Sequence, residues 1–149
     1  MKDEGCKMYE LREFDIRDKE QVVKLWVDVS VKEHEFTDWE EEISMLDENE
    51  YEKILVAECD GQIVGSMAYK KINDDTVELK RVYIYPGHRG NGLAKKLLDA
   101  TLNMIKENKY KKILVETWEN FRSGRRFYEK NNFVLEKIEG EVYNFVLEI

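Results

Sequence analysis

The sequence contains 149 residues with a net charge of −8, of which 42% are hydrophobic and 38% are charged. This length is typical of one domain, and 17 aromatic residues argue against intrinsic disorder. Two cysteines cannot by themselves form a disulfide framework or a zinc site, the N-terminus has no apolar signal region, and no apolar run is long enough to span a membrane. We therefore expect a soluble, cytoplasmic protein without a metal site.

The charge is distributed unevenly along the chain. Residues 1–60 carry 8 basic and 20 acidic side chains, whereas residues 80–112 carry 9 basic and 2 acidic ones. A basic segment in an acidic protein is often the place where an anionic ligand binds. A lysine-rich helix face that is only solvated would give the same composition, so charge alone leaves both interpretations open.

The first part of the chain is predicted to form a strand and two helices. Alternating apolar residues predict a strand over residues 9–14. Asp18 and Gln21 have the spacing of a capping box for a helix, whose apolar face contains Val22, Val23, Leu25, Trp26 and Val29. After a polar break over residues 31–37, Thr37 or Asp38 is predicted to cap a second helix.

A three-stranded meander is predicted next. Asp60 and Gly61 form a typical two-residue hairpin turn, and a second turn is predicted at residues 73–75. The predicted strands cover residues 53–58, 62–71 and 76–85. Within the third of them, the apolar positions 77, 79, 82 and 84 change phase by one residue, as a β-bulge would produce.

The second half of the chain opens with a glycine-rich loop over residues 86–92. A helix follows, because apolar residues at helical spacing form one stripe that contains Leu93, Leu97, Leu98, Leu102 and Ile105. The remaining predicted elements are a strand over residues 111–116, a helix over residues 124–130 and a hairpin of residues 133–138 and 141–149. This order predicts a mixed α/β (α+β) fold with antiparallel and crossover connections.

The glycine-rich loop has the properties of an anion site. The N-terminus of a helix presents unpaired backbone N–H groups and a positive dipole end, and glycines allow an anion to approach the backbone closely. The loop matches neither the GxxxxGK[ST] phosphate loop nor the GxGxxG dinucleotide motif, since Lys95 occupies the third glycine position of the latter. A plain turn between a strand and a helix is the alternative interpretation.

Arg89, Gly92 and Ala94 form the motif R-x-x-G-x-A between a predicted strand and a predicted helix. In this context the sequence resembles the GNAT N-acetyltransferase superfamily, whose pyrophosphate-binding pattern is [R/Q]-x-x-G-x-[G/A]. Residues 126–133, with their FYEK-x-x-F ending, resemble the second motif of that family, and the order of the elements matches over nearly the whole chain.

The resemblance implies a fold and an activity. The fold would be a single GNAT-like domain over residues 1–149, with a central, mostly antiparallel twisted sheet of six to seven strands, splayed fourth and fifth strands, and about four helices on both faces. The activity would be acetyl transfer from the cosubstrate acetyl-CoA to a primary amine, by direct attack through a tetrahedral intermediate.

The resemblance also implies the residues that bind the coenzyme. The backbone of Val82, Tyr83 and Ile84 would bond the pantetheine arm as an added strand would. Asn120 would contact the pantetheine from a position one residue before the family's usual one, which Phe121 occupies. The backbone amides that would hold the pyrophosphate are those of Arg89, Gly90, Asn91, Gly92, Leu93, Ala94 and Lys95.

Two catalytic residues are implied in the same way. Tyr128 would donate a proton to the departing thiolate, and a neutral amine would be generated by Glu78, directly or through water. The alternatives are that Tyr128 is a packing residue and that Glu78 is a solvated or ion-paired strand residue near Lys80. Glu116 and Glu119 are weaker candidates for the base.

In the family the acceptor is generally bound by the first two helices and their connection. Here this region contains Glu33, His34 and Glu35, together with carboxylates at positions 38 and 40–42. Such a concentration of negative charge would attract a cationic amine, such as a polyamine, an aminoglycoside or a lysine-bearing peptide. A solvated helix face would also explain residues 40–42. A homodimer formed through the last strands is plausible for the family.

Two other functions are compatible with parts of the sequence. A non-catalytic acyl-CoA sensor or interaction module could use the same fold, because a fold does not guarantee an activity. The basic segment 80–112 could bind nucleic acid, but the net charge of −8 and the absence of an aromatic and basic RNA-binding motif argue against it. We therefore expect neither a nucleic-acid partner nor a membrane partner.

Overall fold

The computed structural model describes residues 8–33 and 46–149. Their seven strands form one sheet with the order β1-β2-β3-β4-β5-β7-β6, in which only β4 and β5 run parallel. The strands are β1 (Glu10–Glu13), β2 (Lys53–Cys59), β3 (Gln62–Asn73), β4 (Thr76–Ile84), β5 (Lys112–Trp118), β6 (Val134–Glu139) and β7 (Val142–Glu148). The predicted mixed α/β class and the mostly antiparallel sheet are confirmed.

Three α-helices are found in the described part of the chain. They are α1 (Lys19–Trp26), α2 (Leu93–Glu107) and α3 (Arg122–Lys130). A π-helical segment, Val27–Glu33, continues α1, and single 3-10 turns cover Ile16–Asp18, Glu48–Glu50 and Pro86–His88. Residues 37–45, which are most of the predicted second helix, lie outside the described residues.

Two hydrophobic cores lie on opposite faces of the sheet, because successive strand residues point to opposite sides. Leu55 and Ala57 of β2 belong to the core beneath α2 and α3, and Ile54 and Val56 belong to the core beneath α1. Four residues of the predicted apolar stripe of α2 are buried, with at most 1% exposure at Leu93, Leu97, Leu98 and Ile105, whereas Leu102 is half-buried. The helices therefore cover both faces, as expected.

The hairpin between β2 and β3 is confirmed at its predicted turn. Asp60 and Gly61 have φ angles of 51° and 81°. A two-residue turn with both central residues at positive φ matches the twist of the flanking strands. The turn therefore joins the first two strands of the meander, and β4 is its third strand.

The predicted capping box of α1 is wrong. Asp18 precedes the helix but makes no side-chain capping bond; instead, its carboxylate accepts from Arg12 of β1 (2.8 Å) and from the backbone N–H of Asp15 (2.9 Å). Gln21, the other predicted member, accepts from the N–H of Ile63. The hydrogen bond from the Arg12 guanidinium holds the pKa of Asp18 below its ordinary value. The Asp18 carboxylate thus belongs to a capping box with Asp15 at the preceding 3-10 turn and to an ion pair with Arg12, and it does not cap α1.

Among the described residues, no helix is both long and apolar enough to cross a membrane.

Candidate functional site

The site is built around a gap between β4 and β5. These parallel strands pair only at Thr76, Val77 and Glu78 of β4, after which they separate, and β5 continues to pair with β7 on its other side. The separation confirms the predicted splay and opens a cleft of about 440 Å³. The cleft is lined by Glu78, Leu79, Lys80, Arg81, Val82, Tyr83, Val115, Glu116, Thr117, Trp118, Phe121, Tyr128 and Val142.

A β-bulge at Arg81 shapes the β4 wall of the cleft. Ser66 pairs with Tyr83 and Ala68 pairs with Lys80, so β4 contains one more residue than β3 over this interval. Arg81 has a φ of 56°, which is unusual for a residue with a side chain. The phase shift read in the sequence is therefore confirmed as a bulge.

The bulge sorts the side chains of β4 onto two faces. Leu79 and Ile84 belong to the core beneath α2 and α3, against which Val82 also packs. Tyr83 packs against the core beneath α1, and the Arg81 guanidinium lies over the Trp26 ring of the same layer, 5.0 Å from its centroid. The side chains of β4 that border the cleft therefore differ between the two faces of the sheet.

The backbone of β4 presents bonding groups to the open edge. The N–H of Tyr85 donates to the carbonyl of Val64 on β3 (3.0 Å). Because the bonding direction alternates along a strand, Tyr83 bonds towards β3, whereas Val82 and Ile84 face the unpaired edge. The carbonyl of Ile84 there accepts from Nε of Arg89 (2.8 Å). An extended ligand can therefore find strand-like hydrogen bonds at Val82 and Ile84.

The loop before α2 provides a cradle of backbone N–H groups. Gly90 and Gly92 have φ angles of 78° and 89°, which favour glycine, and a Cβ at either position would meet no atom within 4 Å. Asn91 accepts from the N–H of Leu93 through its side chain. Within the described ranges, no acceptor binds the backbone N–H groups of Gly90, Asn91, Gly92, Ala94 and Lys95. These donors and the open space beside them fit a pyrophosphate group.

This loop is held in place by contacts from elsewhere in the chain. The amide of Asn91 donates to the Tyr9 hydroxyl (2.8 Å), which also lies 3.0 Å from Nδ1 of His88. The Lys95 ammonium lies 2.7 Å from the carboxylate of Asp99. Part of the positive charge expected from the sequence is thus neutralised locally, and the loop offers an anion mainly backbone N–H groups.

Tyr128 lines the cleft from the side of α3. The residue is 5% exposed, and its ring packs against those of Phe127, Phe133 and Phe145. Its hydroxyl makes no hydrogen bond to the described residues. Burial raises the pKa of Tyr128 above its ordinary value of 10.0, and the proximity of Tyr83 adds to the effect. The hydroxyl is therefore neutral and able to donate at physiological pH.

Glu78 lines the same cleft at the point where the strands separate. Burial raises the pKa of its carboxyl above 4.5, and the charge of Glu116 raises it further. Lys80, whose ammonium is 3.8 Å from the Glu78 carboxylate, acts in the opposite direction. A carboxyl whose pKa is shifted towards neutrality is suited to accepting a proton.

An acidic pocket of about 260 Å³ adjoins the cleft. It shares Glu78 and Glu116 with the cleft, and Glu136 and Glu139 from β6 also line it. Lys137 lies 3.5 Å from the carboxylate of Glu139 and neutralises part of this charge. The pocket therefore supplies negative charge beside the proposed base.

Several residues predicted for the site are not brought to the cleft. Asn120 is exposed and is absent from the lining, whereas its neighbour Phe121 is part of it. Glu119 does not line the cleft either. His34 and Glu35 lie outside the described residues, and Glu33 is the last residue of the π-helical segment. The predicted roles of Asn120, Glu33, His34 and Glu35 remain predictions.

Arg81 and the side chains that hold it are not among the site residues predicted from the sequence. The Arg81 guanidinium donates through Nε to the Tyr51 hydroxyl (2.9 Å), and Tyr51 in turn packs edge-on against Trp26. The phase shift between positions 79 and 82 marked the right place. It indicated a bulge without indicating which side chain would enter the cleft.

Comparison with known proteins gives independent information about the family. The family model described as the acetyltransferase (GNAT) family matches residues 8–133. The N-acetyltransferase Rv2669 of Mycobacterium tuberculosis is 32% identical over 87 residues, which are 58% of this chain and 54% of that protein. YjgM of Escherichia coli is 31% identical over 81 residues, which are 52% of this chain and 48% of that protein. The chain thus spans about half the length of the curated relatives it matches.

Solved structures share the fold over almost the whole chain. An acetyltransferase from Streptococcus agalactiae has a TM-score of 0.80 at 22% identity, covering 96% of this chain and 99% of its own. The PaiA N-acetyltransferase of Thermoplasma acidophilum, solved in complex with coenzyme A, has a TM-score of 0.80 at 21% identity, covering 95% and 99%. YncA of Salmonella typhimurium, solved with acetyl-CoA, has a TM-score of 0.72 at 17% identity, covering 95% and 94%. At these identities the likeness concerns the fold.

Proposed function

The chain belongs to the acetyltransferase (GNAT) family, and on this premise we propose that it transfers the acetyl group of acetyl-CoA to a primary amine. The observation that carries the proposal is the cleft between β4 and β5. It combines an unpaired strand edge, a buried tyrosine and a carboxyl of raised pKa, and the glycine-rich loop follows directly from β4.

The coenzyme would be bound chiefly by backbone groups. The N–H groups of Gly90, Gly92, Ala94 and Lys95 would hold the pyrophosphate at the start of α2, where the helix dipole favours negative charge. The open edge at Val82 and Ile84 would bond the pantetheine arm, with Tyr83 between them directed to β3. Such contacts would position the thioester in the cleft without requiring a particular side chain at these positions.

The chemistry requires one proton to leave the amine and one to reach the sulfur. The neutral amine attacks the thioester carbonyl carbon, a C–N bond forms, the C–S bond breaks, and the products are an N-acetylated amine and coenzyme A with a free thiol. Glu78 would accept the amine proton, directly or through water. The N–H of Ile84 on the open edge would donate to the oxygen that becomes negative in the tetrahedral intermediate.

Tyr128 would donate the proton that the sulfur needs. Its raised pKa makes it a weaker acid than an exposed tyrosine, but burial in the same cleft disfavours a thiolate for the same physical reason. A neutral hydroxyl without another hydrogen-bond partner among the described residues is available to stabilise the developing negative charge on sulfur.

The acceptor is proposed to be a small cationic amine or a peptide amine, such as a polyamine, an aminoglycoside or a lysine side chain. The acidic pocket beside Glu78 supports this class, because Glu116, Glu136 and Glu139 would attract a positive charge. Glu33, His34 and Glu35 would add to this attraction from the connection after α1.

A screen of amines tests the proposed function directly. The protein is incubated with acetyl-CoA and with polyamines, aminoglycosides, amino acids and lysine peptides, while thiol release and acetylated product are measured together. We expect turnover with at least one class of amine. Tight binding of acetyl-CoA without turnover on any amine would instead indicate a non-catalytic acyl-CoA sensor.

The pH dependence of kcat/KM is expected to report on Glu78. A base must be deprotonated, so activity should rise with pH through the raised pKa of this carboxyl, above 4.5. Glu116→Gln should move this ascending limb to lower pH, because it removes a like charge. Lys80→Gln should move it to higher pH, because it removes a stabilising cation. Glu78→Gln should abolish the limb; a limb that persists unchanged would assign it to another group.

A homodimer is proposed to form through β6. This strand is at the edge of the sheet, and its apolar residues Val134, Leu135 and Ile138 are 63%, 39% and 51% exposed. An unpaired edge with exposed apolar residues favours pairing with a second copy. We expect light scattering after size exclusion to show a dimer that Ile138→Lys converts to a monomer. Ile72→Lys, at a 45% exposed residue of β3, is the matched control and should leave the dimer intact.

A further inference from the structure

Arg81 presents a positive charge to the cleft and has no part in the steps proposed above. The residue is half-buried and is one of those that line the cleft. Within the described ranges, no carboxylate lies within ion-pair distance of it, although Arg12, Lys24 and Lys80 each have such a partner. A cation removed from water without a counter-ion is costly unless a ligand supplies the negative charge.

Both ends of Arg81 are held rigidly. Its carbonyl accepts from the Ser66 hydroxyl (2.8 Å), which in turn accepts from the indole N–H of Trp26 (2.9 Å). Its Nε donates to the Tyr51 hydroxyl, and the guanidinium plane lies over the Trp26 ring. The guanidinium also interacts with the Tyr83 side chain, so two tyrosines use part of its five N–H donors, but no carboxylate of the described residues pairs with its charge. A donor held in this way loses little conformational entropy on binding.

Arg81 and the proposed base belong to the same wall of the cleft. The two residues are three positions apart on β4, and the extra residue of the bulge directs Arg81 towards Trp26 in the layer of α1. Glu78 borders the acidic pocket at one end of this wall. The wall therefore presents a carboxylate at one point and, at another, a guanidinium without a carboxylate partner among the described residues.

We propose that Arg81 binds a carboxylate group of the acceptor, so that the preferred substrates are amines that also carry a carboxylate, as amino acids do. The planar fork of a guanidinium matches the two oxygens of a carboxylate. The acceptor amine would then be held towards Glu78, and its carboxylate would neutralise Arg81. The inference rests on the proposed function and narrows its substrate class, because a polyamine lacks the group that Arg81 would bind.

Matched pairs of acceptors test this inference. Each α-amino acid is compared with the amine that its decarboxylation gives, such as lysine with cadaverine and ornithine with putrescine, because the members of a pair differ only in the carboxylate. We expect kcat/KM to favour the amino acid by roughly 10- to 100-fold in at least one pair, the range of a hydrogen bond between charged groups. Equal or better use of the decarboxylated amine in every pair would overturn the inference.

Variants at Arg81 test whether the guanidinium causes the preference for the amino acid over its decarboxylated amine. Arg81→Gln should reduce the preference to about threefold or less, mainly by raising KM for the amino acid, while KM for acetyl-CoA stays unchanged. Arg81→Lys should keep part of the preference. Because the ratio is measured within one preparation, a partly unfolded fraction affects both substrates equally. A preference that survives Arg81→Gln undiminished would contradict the role of this residue.

Lys80→Gln is the matched control. It removes one positive charge from the same cleft, but Lys80 is already paired with Glu78. Lys80→Gln changes the pKa of Glu78 equally for the amino acid and for its decarboxylated amine, so the preference for the amino acid should remain. Turnover of aminoglycosides or peptides together with no preference in any pair overturns the inference and leaves the proposed function standing. No turnover with any amine overturns both.

Discussion

Replacing Tyr128 by phenylalanine should lower kcat by about 100-fold or more, because a positioned proton donor typically contributes 10²- to 10⁴-fold to the rate. The change removes only the hydroxyl, which has no hydrogen-bond partner among the described residues, and it keeps the ring that packs against Phe133 and Phe145. We therefore expect the affinity for acetyl-CoA and the Tm to change little. Steady-state kinetics, equilibrium binding and thermal unfolding measure the three quantities.

Tyr69→Phe provides a matched control for this experiment. Tyr69 is also a buried tyrosine, with 0% exposure, but it does not line the cleft. Its replacement should leave kcat at the wild-type value. If Tyr128→Phe and Tyr69→Phe have the same activity, the tyrosine in the cleft has no role in proton transfer.

The raised pKa of Tyr128 leads to a further prediction about the pH dependence of kcat. Burial disfavours the tyrosinate, so the hydroxyl stays protonated up to and beyond pH 10.0, the ordinary pKa of a tyrosine. Ionisation of Tyr128 should therefore produce no descending limb of kcat below about pH 10. A descending limb in that range that disappears in Tyr128→Phe would show that the residue ionises more readily than its burial predicts.

Replacing Gly92 by glutamate should weaken binding of acetyl-CoA by roughly 100-fold or more. The new carboxylate would lie beside the N–H groups proposed to hold the pyrophosphate, and two like charges about 5 Å apart repel by about 3 kcal/mol at an effective dielectric constant near 20. The protein itself has room for the side chain, since a Cβ at Gly92 meets no atom within 4 Å. Calorimetric titration with acetyl-CoA measures the loss.

Gly61→Glu separates this effect from backbone strain. Gly61 has a φ of 81°, close to the 89° of Gly92, and a Cβ there also meets no atom within 4 Å. Both substitutions therefore carry a similar conformational cost and the same added charge. Gly61 is in the hairpin between β2 and β3, so Gly61→Glu should bind acetyl-CoA as the wild type does. An unchanged affinity in Gly92→Glu would remove the loop from the coenzyme site.

Local patterns were sufficient for most of the elements. Asp60 and Gly61 predicted a hairpin because few residue pairs adopt the positive φ angles that a two-residue turn requires. The stripe of α2 predicted its buried face because the period of a helix is fixed by its geometry. The capping box at Asp18 failed, because the Asp18 carboxylate instead accepts from the N–H of Asp15, three residues before it, and from Arg12 of β1, a contact that a local pattern does not show.

The candidate site was predictable only in part. The R-x-x-G-x-A motif identified the loop at Gly92, because a motif of backbone-binding residues depends on local conformation. Arg81 was missed, because its importance depends on Trp26, Ser66 and Tyr51, which come from three separate parts of the chain. That its guanidinium has aromatic and hydroxyl partners but no carboxylate among the described residues became visible only when these partners were known.

By itself the sequence determined the family, the order of the strands and helices, the position of the glycine-rich loop and the phase shift in β4, since each is written in residues that are neighbours in the chain. Only the tertiary structure decided where β4 and β5 separate, which face of the cleft each side chain enters and how burial shifts the pKa values of Glu78 and Tyr128. These properties arise from residues that are distant in sequence. Only after the sheet has formed do these residues shield one another from water and lie close enough for their charges to interact.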